Sequence, residues 1–226
     1  VATGFDLALS IPIFEKFDKS NIISDLSRVG IAVGGEALRT GKKSLGVMGQ
    51  VGAVRLFTGK DSPLRESSYE AGMIIPVDSF DSILASKDKP LESNRKSDLL
   101  VIQLSFNQEA PTNLFISAVS IEAKFSSREF TDFEDAAEQA KQTYKRFFNL
   151  IAGSQKESSV IERLVLAKLI RYGLQLQKDD PLHDVSTRNF RIIDNILKIE
   201  QIIDINSKMV IWGMASKGII YSLHLI

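Results

Sequence analysis

Residues 97–125, "SDLLVIQLSFNQEAPTNLFISAVSIEAKF", contain two long apolar runs separated by a polar loop. The runs at 98–106 and 114–125 are rich in β-branched and aromatic residues, and the loop between them has the composition of a hairpin connection. We therefore predict two strands that pair antiparallel. After Ser126 the apolar residues recur about every 3.6 positions, which predicts a change from strand to helix.

The sequence before this hairpin predicts helices and one further strand. In residues 21–57 the apolar positions recur at helical spacing, although several glycines each weaken a helix by up to ~1 kcal/mol relative to alanine. We expect two close-packed helices there, split near "RTGKKS". The stretch 72–80, "GMIIPVDSF", predicts a short buried strand that stops at a turn. Residues 1–20 predict a lead-in segment that can hold a strand.

The sequence after the hairpin predicts three helices and a second hairpin. The first helix is expected at 131–151, where Thr131 as N-cap and Glu134 form a capping box. The remaining elements are helices at 158–177 and 186–204 and a hairpin of strands at 208–216 and 218–226. This order predicts an α/β domain with a mixed sheet flanked by helices, and with a C-terminal helical and hairpin extension.

Composition limits the classes of function. Twenty-eight basic residues balance twenty-eight acidic ones, so no bulk positive field attracts nucleic acid or an anionic membrane. The absence of cysteine excludes disulfides and thiolate metal sites, and it favours a cytoplasmic setting. No apolar stretch approaches the ~20 residues of a membrane span, so no membrane partner is expected. Because the chain starts at Val1, we expect a single domain, 1–226, that is part of a larger protein.

Charged residues end the second apolar run. The strand period places Glu122 and Lys124 on one face, and an antiparallel hairpin brings Asp98 close to Glu122. Two carboxylates repel each other unless a cation lies between them, and Mg²⁺ typically takes one or two protein carboxylates together with water and phosphate. A lysine beside such an ion can hold the attacking water. The pattern predicts phosphodiester cleavage; the alternative is a solvated ion pair worth at most ~1 kcal/mol.

Asp98 at the start of one strand, Glu122-Ala-Lys124 at the end of the next, and a polar helix directly afterwards resemble the PD-(D/E)XK nuclease superfamily. This chain has Ser97 where the name of the motif has proline. The resemblance implies a restriction-endonuclease-like fold. It also implies that Asp98 and Glu122 bind Mg²⁺, for which Mn²⁺ can substitute, and that Lys124 assists the attacking water.

The wider succession of "GMIIPVDSFDSIL", "SDLLVIQL", "VSIEAKF" and a helix with "AAEQAKQTY" is similar to the nuclease-like domain attached to HerA/FtsK-type ATPases. Those ATPases belong to bacterial DNA-modification-dependent restriction and phage-defence systems. The resemblance covers about residues 21–152, leaving the helices and hairpin of 153–226 as an extension. It implies duplex DNA as a partner, and an ATPase or helicase domain or subunit as another.

Further members of the site are less determined by the sequence. The superfamily often adds an acid or a glutamine from the first helix, and Glu36 and Gln50 compete for that place, with Glu36 favoured. Gln139 resembles the glutamine of RecB-like members, but Thr143 stands where those members have tyrosine. The basic residues that could contact DNA phosphates are Arg39, Lys42, Lys43, Lys141, Lys145 and Arg146.

Two functions follow from these expectations. The first is a Mg²⁺-dependent DNA endonuclease domain of a bacterial restriction or defence system. The second is a catalytically inactive DNA-binding or docking domain of the same fold in an ATPase assembly, because many domains attached to such ATPases have lost activity. The neutral net charge favours the second function, whereas the acid-x-lysine pattern favours the first.

Overall fold

The computed structural model describes residues 46–47, 49–54, 70–80, 96–109, 114–126, 133–154, 160–177, 187–199, 202–215 and 220–225. Within these ranges the chain forms a mixed α/β domain with one five-stranded sheet. Residues 46, 47 and 49–54 are helical. The predicted lead-in segment, the rest of the predicted helices in 21–57 and the Thr131 cap lie outside the described residues.

The elements follow one another in a simple order. They are β1 (Ala71–Pro76), a 3-10 turn (Val77–Phe80), β2 (Leu99–Ser105), β3 (Leu114–Ser126), α1 (Phe133–Ser154), α2 (Val160–Gln177), α3 (Thr187–Ile199), β4 (Ile202–Ala215) and β5 (Ile220–Leu225). In the sheet the strands lie in the same order, β1 to β5.

Strands β1, β2 and β3 form an antiparallel meander. Met73 is opposite Ile102 in the first pair, and Leu99 is opposite Ile121 in the second. All six residues of β1 are buried, and so are the first six of β2, which explains why these strands read as continuous apolar runs rather than as alternating ones. The predicted buried strand and the predicted antiparallel pairing are confirmed.

The last two strands complete the sheet beside β3. β4 pairs parallel with β3, and β5 returns antiparallel along β4, with Met209 opposite Leu225. The predicted C-terminal hairpin is therefore present, but the predicted helix at 186–204 is wrong beyond Ile199. The run that begins at Ile202 is rich in β-branched residues, and its pairing along β3 outweighs the helical spacing of its apolar positions.

One face of the sheet carries the main core. Met73, Ile102 and Ala118 belong to a buried cluster that also contains Phe147 of α1 and Ile170 of α2. Because side chains alternate along a strand, Asp98 lies on the same side as Leu100 and Ile102, and Glu122 on the same side as Ala118. The two charged residues therefore end the face that the helices cover. Among the described residues, no helix is both long and apolar enough to cross a membrane.

The contact between α2 and β1 generates a stability prediction. A Cβ atom added at Gly173 would clash with Met73 Sδ and lie 2.9 Å from Met73 Cγ, and Met73 is fully buried. Gly173→Ala should therefore lower the free energy of unfolding, because overpacking costs ~1–3 kcal/mol while the gain in helix propensity is at most ~1 kcal/mol.

Gly46→Ala is the matched control, since a Cβ atom there meets nothing within 4 Å. It should be neutral or stabilising by up to ~1 kcal/mol. Urea denaturation of both variants provides the measurement. If Gly173→Ala proves as stable as Gly46→Ala, α2 does not approach β1 as closely as described.

Candidate active site

The register of β2 with β3 brings Asp98 to Glu122. Leu99 is opposite Ile121, so the residues one step outward, 98 and 122, also come opposite each other. Lys124 follows Glu122 on the same face of β3 because side chains alternate along a strand. The hairpin thus gathers two carboxylates and an ammonium at one end of the sheet.

Asp98 is held from three directions. Its Oδ2 accepts a hydrogen bond from the backbone N–H of Ala123 at 2.8 Å, and its Oδ1 accepts one from Nε2 of Gln50 at 2.8 Å. The backbone carbonyl of Asp98 accepts the N–H of Val77 at 3.0 Å. Neighbouring strand, helical segment and 3-10 turn therefore all fix its position.

Glu122 and Lys124 form an ion pair inside the site. The side chain of Glu122 is only 5% exposed and its Oε1 accepts from Nζ of Lys124, whose side chain is 28% exposed. Nζ also donates to Oε1 of Gln139 at 3.0 Å, and Nε2 of Gln139 donates to Asp135 at 3.1 Å. Helix α1 therefore supports the lysine from one side and β3 from the other. The second carboxylate oxygen, Glu122 Oε2, is buried and accepts no hydrogen bond from the described residues.

Burial dominates the electrostatics of both acids. Loss of hydration and, to a smaller extent, the charge of Asp98 raise the pKa of Glu122 to about 8, although Lys124 and the backbone N–H of Asp98 favour its charged form. The pKa of Asp98 is also raised, mainly by burial, although Gln50 and the N–H of Ala123 favour its charged form. The site therefore resists carrying two negative charges at neutral pH.

The residues present fit a divalent cation with oxygen ligands. An unpaired buried carboxylate oxygen costs free energy, and a cation beside it would offset that cost together with the repulsion between the two acids. Within the described part of the chain, no group of three or more His, Cys, Asp and Glu side chains is arranged to hold a metal ion. Asp98 and Glu122 alone match the one or two carboxylates that Mg²⁺ typically takes, with water completing its shell.

The other predicted site residues divide into three groups. Gln50 contacts Asp98 and Gln139 contacts Lys124, so both lie in the site. Lys141 and Lys145 are exposed on α1, but a separation of two and six residues from Gln139 places them about 200–240° around the helix, away from the site. Arg146 is seven residues from Gln139 and lies on its side of α1. The residues outside the described ranges are Glu36, Arg39, Lys42 and Lys43.

A buried polar cluster next to Asp98 was not expected from the sequence. The backbone N–H of Ser97 donates to Oγ1 of Thr143 on α1 at 2.8 Å. The hydroxyl of Ser97 lies 2.8 Å from that of Ser120 on β3, and all three residues are at most 2% exposed. The sequence contains only a weak indication of this cluster, namely that Thr143 follows Gln139 by one helical turn and that Ser97 directly precedes Asp98.

A second ion pair flanks the site. Nζ of Lys96 lies 2.6 Å from Oδ1 of Asp78, and the Asp78 side chain is 71% exposed. The negative charge of Asp78 contributes to the raised pKa of Asp98, so the 3-10 turn stands close enough to affect the site electrostatically. No sequence pattern distinguishes either residue from other surface charges.

Comparison with known proteins identifies no relative of this chain. No protein-family model, curated protein or solved structure matches the chain. The interpretation of the site therefore depends on its own geometry and chemistry.

The raised pKa of Glu122 predicts how stability depends on pH in the metal-free protein. In the unfolded chain its pKa is 4.5 and in the folded chain about 8, so between these pH values the folded chain binds more protons. The contribution to the free energy of unfolding is complete below pH 4.5 and is lost as the pH rises to 8. A pKa difference of one corresponds to about 1.4 kcal/mol, so the total loss should be on the order of a few kcal/mol.

Glu122→Gln, which keeps the shape and cannot ionise, should match the wild type at pH 5 and exceed its stability at pH 8.5. The measurement is urea denaturation in EDTA at several pH values. Glu109→Gln, at an exposed position, is the control and should follow the wild type throughout. Parallel pH profiles for the wild type and Glu122→Gln would show that this carboxyl is ionised at neutral pH.

Proposed function

We propose that this chain is a Mg²⁺-dependent DNA endonuclease domain of a bacterial restriction or defence system. The observation that carries the proposal is the pairing of Asp98 with Glu122 beside the ammonium of Lys124, together with the buried Glu122 Oε2, which has no hydrogen-bond partner among the described residues. Hydrolysis of a phosphodiester needs positive charge and a held water next to the phosphate, and these three groups are suited to supply both.

The order of elements around the site supports a restriction-endonuclease-like arrangement. Asp98 directly precedes β2, the Glu122-Ala-Lys124 triplet lies near the end of β3, and α1 follows. The PD-(D/E)XK resemblance predicts this sequence of features. The antiparallel meander and the parallel strand β4 form a mixed sheet, as that fold class also requires.

Each residue of the site has a role that follows from its surroundings. Asp98 and Glu122 would hold Mg²⁺, or Mn²⁺ in its place, and the ion when bound would polarise a phosphoryl oxygen. Lys124 is fixed by Gln139 but is partly exposed, so its ammonium can reach water and a phosphate. It would orient the attacking water and neutralise charge that develops on the phosphate. Gln50 keeps Asp98 in place through its amide.

The proposed partners are duplex DNA and an ATPase or helicase domain or subunit. The net charge of zero means that DNA binding would depend on local basic groups, such as Arg146 on the Gln139 side of α1. An ATPase partner follows from the resemblance to nuclease-like domains of HerA/FtsK-type systems. A cytoplasmic location belongs to the same proposal.

The ion pair between Lys124 and Glu122 favours a second candidate function. A pKa of about 8 keeps the buried glutamate largely protonated at neutral pH when it is metal-free, so its charge does not require a cation. The contact of Lys124 with Glu122 Oε1 can then hold the site together without one. The same fold would then bind DNA, or dock onto the ATPase, without cleaving. The following experiment separates the two candidates.

Lys124→Ala should abolish nicking of plasmid DNA, with a rate loss of at least about 100-fold, while changing DNA affinity by less than about twofold. The reason is that the ammonium acts on charge that appears in the transition state, whereas it is one of several phosphate contacts in binding. The measurements are nicking by the whole chain with Mg²⁺ or Mn²⁺ and a gel shift at fixed salt. Lys141→Ala, an exposed position on the other side of α1, should nick normally.

Glu122→Ala should also abolish nicking. In the absence of Mg²⁺ it should tighten DNA binding at pH 8.5, where the carboxyl of the wild type is ionised and its removal takes away negative charge close to the phosphate. Equal nicking by the wild type and both site variants would assign the activity to another site or a contaminant. A wild type that binds DNA but never nicks with either metal would support the inactive domain instead.

A further inference from the structure

The segment before Asp98 is anchored by three hydrogen bonds of buried groups. The N–H of Ser97 donates to Thr143 Oγ1, and the Ser97 hydroxyl bonds both to Ser120 Oγ at 2.8 Å and to the carbonyl of Leu99 at 3.4 Å. These bonds join three elements, namely the lead-in to β2, the middle of β3 and the centre of α1. Asp98 is the next residue, so any shift of Ser97 is transmitted to the carboxylate.

Thr143 is a polar residue on an otherwise apolar, buried stretch of α1. It is 1% exposed and lies on the side of α1 that also presents the buried residues Ala136, Ala140 and Phe147. A buried hydroxyl among apolar neighbours costs free energy unless it is hydrogen-bonded, and a buried backbone N–H left without an acceptor costs ~1–3 kcal/mol. The bond gives the N–H of Ser97 an acceptor, so an apolar residue in place of Thr143 would leave that buried N–H unsatisfied.

Because residue 97 is a serine and not a proline, its backbone N–H needs a hydrogen-bond acceptor, which is Thr143 Oγ1. A proline has no N–H and a fixed φ angle, so a proline before the aspartate would be rigid without any partner. Ser97 has an N–H and a free φ angle, and the bond to Thr143 supplies the missing constraint from outside. The same helix also holds Lys124 through Gln139, one turn before Thr143.

We infer that Thr143 is a positioning residue for the candidate cation site, acting through the N–H of Ser97 to fix the Asp98 carboxylate opposite Glu122. The inference rests on the proposed function, since it concerns the same two carboxylates. Helix α1 therefore aligns both halves of the site: Gln139 sets the lysine and Thr143 sets the aspartate. Loss of either bond should loosen one half and leave the other in place.

Titration with Mn²⁺, followed by the EPR signal of the free ion, tests this role in the whole chain. Thr143→Val keeps the shape and removes the oxygen, and it should raise the Mn²⁺ dissociation constant about tenfold. This is the lower end of what loss of an outer-shell partner costs, because Thr143 supports Asp98 through Ser97 rather than directly. Thr143→Ser restores the oxygen and should stay within about twofold of the wild type. Ser120→Ala, which releases the Ser97 hydroxyl, should weaken binding by a smaller factor and is decisive if Thr143→Val does not fold.

Ile151→Val is the matched control, because it removes one methyl group from the buried face of the same helix far from the site. It should lower thermal stability without changing the Mn²⁺ dissociation constant, with circular dichroism confirming that all variants are folded at the titration temperature. Equal Mn²⁺ affinity in Thr143→Val and wild type would overturn the inference, and so would equal weakening by Ile151→Val.

The outcomes also separate this inference from the proposed function. Mn²⁺ binding that depends on Thr143, in a wild type that never nicks DNA, would remove the nuclease and keep the positioning role. If the wild type nicks DNA but the Mn²⁺ dissociation constant does not change in Thr143→Val, the nuclease function stands and the positioning role is excluded. A wild type that binds no Mn²⁺ would overturn both.

Discussion

The burial of the Glu122 carboxylate beside Asp98 is the constraint on which the site depends. Moving a charged group out of water costs several kcal/mol, and a second carboxylate opposite it adds repulsion. The structure offsets this cost with the ammonium of Lys124 on one oxygen of Glu122, and with donors from Gln50 and Ala123 on Asp98. One oxygen, Glu122 Oε2, has no hydrogen-bond partner in the part of the chain that the structure describes. Such an oxygen reduces stability, and the cation that we propose for the site would offset this cost.

The rest of the fold is arranged so that this cost is confined to one end of the sheet. Strands β1 and β2 are buried along almost their whole length, β3 carries its two charged residues near its C-terminal end, and the helices cover one face of these strands. Helix α1 contributes apolar residues such as Phe147 to that core, but near its N-terminal half it places Gln139 and Thr143 one turn apart over the charged end. A single helix therefore packs the core and orders the site. This sharing couples stability to site geometry, which is why a stability control on the same helix is needed when the site is tested.

The sequence predicted the parts of the fold and site that depend on local pattern. The period of two and the β-branched residues of 98–106 and 114–125 were sufficient to predict the antiparallel hairpin, and the hairpin in turn was sufficient to predict that Asp98 approaches Glu122. The helix expected through residue 204 ends at Ile199, because pairing of β4 with β3 is a long-range effect that helical spacing does not reveal. The Ser97–Thr143 bond joins residues 46 positions apart and involves a backbone N–H, so no side-chain motif encodes it. The sequence also could not decide between Gln50 and Glu36, because both lie far from Asp98 along the chain. Gln50 contacts Asp98, and Glu36 lies outside the described residues.

The most direct test of the account is the position of a bound cation. Crystals of the whole chain soaked in Mn²⁺ would be examined for anomalous scattering at the manganese absorption edge. The account predicts one peak within coordination distance of a carboxylate oxygen of Asp98 and of Glu122 Oε2, with Lys124 still bound to Gln139. Anomalous peaks only at other acidic groups, or none at all while Lys124 stays paired with Glu122, would contradict it.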